Sequence, residues 1–234
     1  MKDKIILSWS GGKDCAMALV KLQQAYRYQV THLLTTINRE TGRTISHDVH
    51  IDLIRAQAES IGLPLHIVEM PPAPTNEEYQ VALHASINDL RETGCNLVAY
   101  GDIALEDVRE YRDEHLERIR MKAIYPLWMR DPFGLAREFQ EMGFKGLTVC
   151  VDLTRLNESF IGRSYDAQFL RDLPPHIDPC GESGEFHTFV YDGPIFKTPV
   201  AFEMGDPYQR DNRFVYCELL PPDAPKDDAT DDAE

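Results

Sequence analysis

Three observations predict an α/β fold built on a parallel sheet. Short apolar runs at 5–7, 33–37, 65–68 and 97–100 alternate with helical patterns. A Gly11-Gly12 turn joins the first run directly to the first helical pattern. The chain of 234 residues is 43% hydrophobic and 27% charged, the balance of a globular protein with a sizeable core. Strands separated by helices imply βαβ units with right-handed crossovers.

Each element has its own warrant. Ile5-Ile6-Leu7 reads as a buried strand, and Asp14 to Ala25 as a helix carrying Ala18, Leu19 and Leu22 on one side. Ile51, Ile54, Ala58 and Ile61 recur at helical spacing, and Gly62 with Pro64 stops that helix. Leu83, Ile87 and Leu90 form a second helical face that ends by Gly94. Asp107 to Lys122 reads as one highly charged helix with a thin stripe of Val108, Tyr111, Leu116 and Ile119. Beyond about residue 130 the pattern changes. Leu135, Phe139 and Met142 mark a helix, Gly146–Val151 a strand, and Ser159–Leu173 another helix. Phe186–Phe196, Val200–Phe202 and Arg213–Leu219 read as half-exposed strands. The expected organisation is therefore a parallel-sheet α/β domain over 1–130, a smaller mixed α/β region over 131–220, and a disordered acidic tail over 221–234.

Composition narrows the function classes. The net charge is −15, of which the last fourteen residues supply −5, and the remaining −10 argues against a broad nucleic-acid footprint. No apolar run approaches the ~18 residues that cross a membrane, and the first strand begins too early to leave room for a signal peptide. Cys15, Cys95, Cys150, Cys180 and Cys217 are scattered, with no C-x-x-C pair. They suggest neither a zinc ribbon nor a disulfide framework, and reduced thiols in a cytoplasm are the simplest reading.

The stretch Ser8-Trp9-Ser10-Gly11-Gly12-Lys13-Asp14-Cys15 carries the strongest chemical signal. A glycine turn at a helix N-terminus presents backbone N–H groups and partial positive charge to a phosphate. Ser8 and Ser10 add hydroxyl donors, and Lys13 adds a cation. The spacing is neither G-x-x-x-x-G-K-[ST] nor G-x-G-x-x-G. Ligands of open parallel sheets lie beyond the carboxyl ends of the strands, which also singles out Tyr100-Gly101-Asp102. Gly101 permits close approach, and Asp102 reads as a Mg²⁺ ligand or as the cap of the next helix. The segment from Asp178 to Thr188 places Glu182 and Glu185 three apart between glycines. It is either a proton-handling cluster or a solvated turn. His47, Asp48, His50 and Asp52 crowd together without the spacing of a zinc site, and Asp48 reads as a helix cap, while His47 belongs near a nucleotide. Cys15 reads as a packed small residue rather than a reactive thiol, and His32, His66 and His84 carry no pattern.

Ser10-Gly11-Gly12-Lys13-Asp14, between a strand and a helix, resembles the PP-loop of ATP pyrophosphatases. With His47, Gly101-Asp102-Ile103, Arg109, Pro126-Leu127-Trp128 and Gly181-Glu182-Ser183-Gly184-Glu185-Phe186 in order, the chain resembles the diphthine–ammonia ligase family of PP-loop enzymes over residues 4 to 220. The resemblance implies a Rossmann-like, PP-loop (HUP-type) nucleotide-binding domain. It implies transfer of AMP from ATP to a carboxylate acceptor, diphthine or another, followed by attack of ammonia and release of AMP and pyrophosphate. Ser8, Ser10, Gly11, Gly12, Lys13, Asp14, Cys15, His47 and Gly101 would then hold ATP, and Asp14 and Asp102 the Mg²⁺. Lys13, Asp102, Glu182 and Glu185 would carry the chemistry. The chain departs from the family at Cys15, usually serine, at Ser183, and at Tyr111, often tryptophan. A transfer-RNA-modifying enzyme and a non-catalytic ATP or AMP module are the alternatives, and a homodimer is compatible with the sequence.

Overall fold

The computed structural model describes residues 2–222; the expected disordered tail falls, from residue 223 on, outside the described residues. The first half alternates β1 (Asp3–Ser8), α1 (Lys13–Gln24), β2 (Tyr28–Asn38), the short β3 (Arg43–Thr44), α2 (Ile51–Ile61), β4 (Leu65–Met70), α3 (Asn76–Arg91), β5 (Leu97–Ala99), α4 (Glu106–Arg118) and β6 (Lys122–Ile124). Strands β4, β2, β1, β5 and β6 lie side by side and all pair in parallel, while β3 folds back antiparallel on the end of β2. The parallel α/β fold expected from the sequence is thus observed. Chain order reverses between β1 and β5, which makes the space beyond Ser8 and Ala99 the switch point of the sheet.

Local sequence explains the helices. Eight of the twelve residues of α1 are buried, as befits an Ala- and Leu-rich helix running behind the central strand. Gly62, at φ 83°, ends α2 by donating to the carbonyls of Ala58 and Glu59. Thr75 and Glu78 form a reciprocal capping box on α3. The long helix expected up to Lys122 stops at Arg118 instead. Arg120 adopts φ 58°, and Lys122–Ile124 leave to pair with Leu97–Ala99 as the outer parallel strand. The one edge of β5 that β1 leaves open outweighs a polar helical pattern that buries only Leu116.

The second half holds α5 (Pro132–Glu141), β7 (Lys145–Asp152), a 3₁₀ turn (Glu158–Phe160), α6 (Ala167–Asp172), β8 (Phe186–Asp192), β9 (Glu203–Met204), β10 (Tyr208–Arg210), β11 (Phe214–Tyr216) and β12 (Leu219–Leu220). An antiparallel sheet runs β10-β11-β7-β8, and β12 pairs with β9. Ser159–Leu173 is not one helix. Gly162 turns at φ 68°, and the next residues run along β7, with Thr148 donating to Arg163 and Tyr165 to Gly146. Val200–Phe202 is not a strand, and the expected Arg213–Leu219 strand is divided between β11 and β12. One hydrophobic core joins Ile5, Leu7 and Leu19 of the first half to Leu147, Phe186 and Phe189 of the second. Among the described residues no helix is long and apolar enough to cross a membrane.

Candidate active site

A cleft of about 410 Å³ opens at the switch point. Ser8, Ser10, Lys13, Asp14 and Cys15 form its floor, and Tyr100, Gly101 and Asp102 one wall. Glu182, His187 and Thr188 come from the second half, and Thr35, Thr36 and His47 complete the rim. The α1 N-terminus faces this space. Gly12 is its N-cap and brings no side-chain cap of its own, and the end of the helix carries partial positive charge. Strand β8 holds the loop from behind: Lys13 N–H donates to Thr188 Oγ1 at 3.0 Å, and Val190 N–H to the Gly11 carbonyl at 2.9 Å.

Two glycines are required by close approach. A Cβ on Gly12 would lie 2.6 Å from His47 Cε1 and 3.0 Å from the Thr188 carbonyl oxygen. A Cβ on Gly101 would meet backbone atoms of Asp14 and Cys15 at 2.9–3.1 Å, so β5 and the first turn of α1 touch main chain to main chain.

Lys13 is 3% exposed. Its Nζ pairs with Asp14 Oδ2 at 2.8 Å, donates to the Cys180 carbonyl, and lies over the rings of Phe186 and Tyr165. Burial works against the ammonium charge, but Asp14 outweighs it and holds the pKa above the ordinary lysine value. Burial raises the Asp14 carboxyl, with Asp178 and Asp102 adding to the effect and Lys13 opposing it. Asp102 is held at both oxygens by Arg112, 2.7 Å and 3.2 Å, and that guanidinium lies 4.1 Å above the Tyr100 ring. It does not cap α4, whose N-cap is Leu105.

The glutamate loop divides in two. Glu182 lies in the cleft wall, and its Oε1 accepts from Ile103 N–H (2.7 Å) and Ala104 N–H (3.1 Å), latching the second half onto the end of β5. Burial raises its carboxyl, which these two bonds partly offset. Glu185 is 4% exposed and is not among the cleft-lining residues; Arg155 lies 3.5 Å from its Oε1. A proton-handling role at the reacting centre therefore does not fit Glu185. Cys15 is buried with Sγ donating to the Gly12 carbonyl at 3.0 Å, and burial pushes its thiol up to about 11. It packs as the sequence suggests. Asp48 caps nothing: it adopts φ 54° and forms an ion pair with Arg210, and His50 caps α2 instead.

The diphthamide synthase N-terminal domain family matches residues 3–123, and the diphthamide synthase C-terminal domain family matches residues 131–216. This chain belongs to the diphthamide synthase family. Its similar relatives include a diphthine–ammonia ligase of Danio rerio, 28% identical over 177 residues that cover 69% of this chain and 68% of that protein. Another, of Homo sapiens, is 25% identical over 84% of this chain and 82% of its own length. The Schizosaccharomyces pombe diphthine–ammonia ligase is 24% identical over 85% of this chain, which spans only 36% of that longer protein. Among solved structures, the U34-tRNA thiolase NcsA from Methanococcus maripaludis superposes at a TM-score of 0.38 over 59% of this chain and 58% of its own, with 18% identity, too loosely to bear on function.

In this diphthamide synthase family member the structure also brings in residues that sequence reasoning did not place at the site. Gln57 of α2, fully buried, accepts from Trp9 Nε1–H at 2.8 Å and donates to the carbonyls of Gly11 (3.0 Å) and Val190 (2.6 Å). A glutamine one residue before Ala58 on an otherwise apolar face was the available signal. Thr188 ends the loop segment that the sequence had marked, though its bond to Lys13 N–H comes from long-range packing, and Arg112 gave no signal.

His47 stacks on His187, 4.6 Å between centroids, and its Nδ1–H donates to the Thr188 carbonyl at 2.9 Å. Burial lowers the His47 pKa to about 4, Thr188 opposing and Lys13 adding, and burial drives His187 well below the ordinary value. Both rings are therefore neutral near pH 7. Because the folded pKa lies below the unfolded one, the unfolded chain binds more protons as pH falls. The contribution of His47 is full above about 6.5 and is lost as pH falls from there to about 4. Denaturant midpoints measured across that range should fall less steeply with acid in H47N than in the unmodified protein.

Proposed function

We propose that this protein is an ATP-dependent amide ligase that adenylates a carboxylate acceptor and transfers ammonia to it, with diphthine as the acceptor. The observation that carries the reading is the cleft at the sheet's switch point, where a glycine-led helix N-terminus and a buried lysine face a carboxylate-bearing wall. Membership of the diphthamide synthase family and relatives named diphthine–ammonia ligase support it.

Carboxylate is a poor acceptor for ammonia because its oxygen is a poor leaving group. In the first step a carboxylate oxygen bonds to the α-phosphorus of ATP, and the α–β bridging bond breaks with its electrons on pyrophosphate. In the second step the ammonia lone pair bonds to the acyl carbon, the bond to AMP breaks, and the surplus proton passes to water. The Ser8–Cys15 loop binds the triphosphate, with Gly101 against its base and His47 at the rim. Lys13 neutralises charge that grows on pyrophosphate as the bond breaks. Asp14 and Asp102 are the candidate Mg²⁺ residues. Among the described residues no group of three or more His, Cys, Asp or Glu could hold a metal by itself, and both carboxylates are already paired, Asp14 with Lys13 and Asp102 with Arg112. This set suits a Mg²⁺ held chiefly by ATP phosphates, with Asp14 or Asp102 as the protein carboxylate. Bound there, the ion would withdraw charge from the phosphate oxygens. Glu182 sets the spacing of the cleft walls, and Glu185 acts as a positioning residue at the start of β8. Five cysteines without a disulfide suit a reducing compartment, which we take to be the cytoplasm.

The test is product analysis with ATP, Mg²⁺, ammonium and elongation factor two carrying diphthine. AMP and pyrophosphate in step with amide are the expected products. ADP and phosphate, or no turnover despite ATP binding, would overturn the reading.

A further inference from the structure

A second, smaller cavity of about 30 Å³ lies between α3 and α4, behind the cleft wall. It has room for one or two molecules of water size, each needing roughly 10–15 Å³. Tyr79, Leu83, Tyr100 and Arg112 line both spaces, so the two are separated only by side chains that face each of them.

The lining is unusual in its hydrogen-bonding state. Gln80 is 8% exposed and spends its amide N–H on the Tyr111 hydroxyl at 2.8 Å, which leaves its Oε1 buried without a partner. His84 Nε2 and His115 Nδ1, on facing helices with rings 5.8 Å apart, are likewise buried and unpartnered. Buried polar atoms are rarely left so, and each one costs stability unless something fills the space. Burial lowers both histidines, with Arg118 adding to the effect, so the imidazoles are neutral and can present lone pairs. The charged groups around the chamber are Arg112, already paired with Asp102, and Arg118, with Glu114 acting on His115 from the same helix. Two guanidinium groups disfavour a cation inside.

From the three orphaned acceptors and the small volume, we propose that this chamber is a loading site for neutral ammonia. Gln80 Oε1 and, in the tautomers that leave them unprotonated, His84 Nε2 and His115 Nδ1 offer as many acceptors as one ammonia molecule has N–H bonds. The shared wall of Tyr100 and Arg112 puts that molecule one side chain away from the cleft, whose lining includes Asp102. The inference rests on the ligase reading: it names where the second substrate waits.

Two measurements test it. The imidazole ¹⁵N signals of the unmodified protein are followed on adding ammonium chloride, with sodium chloride at equal ionic strength as control. His84 and His115 should shift, more at higher pH where more ammonia is free, while His32 and His66 stay put. No specific shift means that the chamber holds water only and overturns the proposal. Then ATP–pyrophosphate exchange and the KM for ammonium are compared in Gln80→Leu and His84→Leu. Each should raise the ammonium KM roughly three- to tenfold, as loss of one hydrogen bond predicts, with exchange and the KM for ATP unmoved. Unmoved ammonium KM with normal exchange sinks the chamber alone. Absence of exchange in the unmodified protein sinks the ligase reading beneath it.

Discussion

Lys13→Ala is expected to lower AMP formation by roughly two to three orders of magnitude, the usual loss when one preorganised donor is removed from a developing anion. ATP affinity should fall much less, because the helix N-terminus and the loop backbone still hold the phosphates. The reason lies in how Lys13 is kept. Its stem is buried, its Nζ is fixed between Asp14 and the Cys180 carbonyl, and the pKa sits above the ordinary value. The ammonium is therefore charged and aimed before substrate arrives. The loss should be the same at pH 7 and pH 9, since no titration of Lys13 intervenes in that range. Single-turnover rates of AMP release, beside calorimetric ATP binding, separate the two effects. A drop confined to binding would mean that Lys13 serves the ground state only. Lys13→Met is the companion variant, because it keeps the apolar stem against Phe186 and Tyr165 and isolates the charge.

Gln57→Leu should destabilise the fold by about 2–4 kcal/mol, as expected for a buried hub whose partners are left unsatisfied. One side chain joins Trp9, Gly11 and Val190, three segments far apart in sequence. Without it, the Trp9 N–H loses its acceptor and the phosphate loop loses one of its three ties to β8, the Val190–Gly11 and Lys13–Thr188 bonds remaining. Gln57→Glu should be worse than Gln57→Leu. It keeps an acceptor for Trp9 but sets a buried carboxylate against the carbonyls of Gly11 and Val190, where charge has no compensation. Urea unfolding of the three proteins would settle the order; equal midpoints would show that the network is slack. The same variants should weaken ATP binding, because Gly11 and Gly12 are held at working geometry only from behind.

Much of this protein was written in local pattern. Strand-helix alternation gave the parallel sheet, and the Gly11-Gly12 turn before an Ala-rich helix marked the phosphate end, because both depend on neighbours within a few residues. Gly101-Asp102 followed from a rule about strand ends, and the cleft does lie there. Where the reading failed, long-range pairing had overridden local preference. Lys122–Ile124 became a strand because β5 had an open edge, and Ser159–Leu173 was drawn out along β7. The two glutamates, equivalent in sequence, parted because Glu182 meets the end of β5 while Glu185 turns under Arg155.

By itself the sequence determined the sheet, the phosphate loop and the groups available for chemistry, since backbone propensity and spacing are local properties. Tertiary structure alone decided which of those groups share a space. It tied Lys13 to Cys180, Asp102 to Arg112 and the loop to Gln57 and Thr188, and it left Gln80 Oε1, His84 Nε2 and His115 Nδ1 without partners on α3 and α4. Those pairings follow from how two sheets close over one core, and no window of sequence contains both partners.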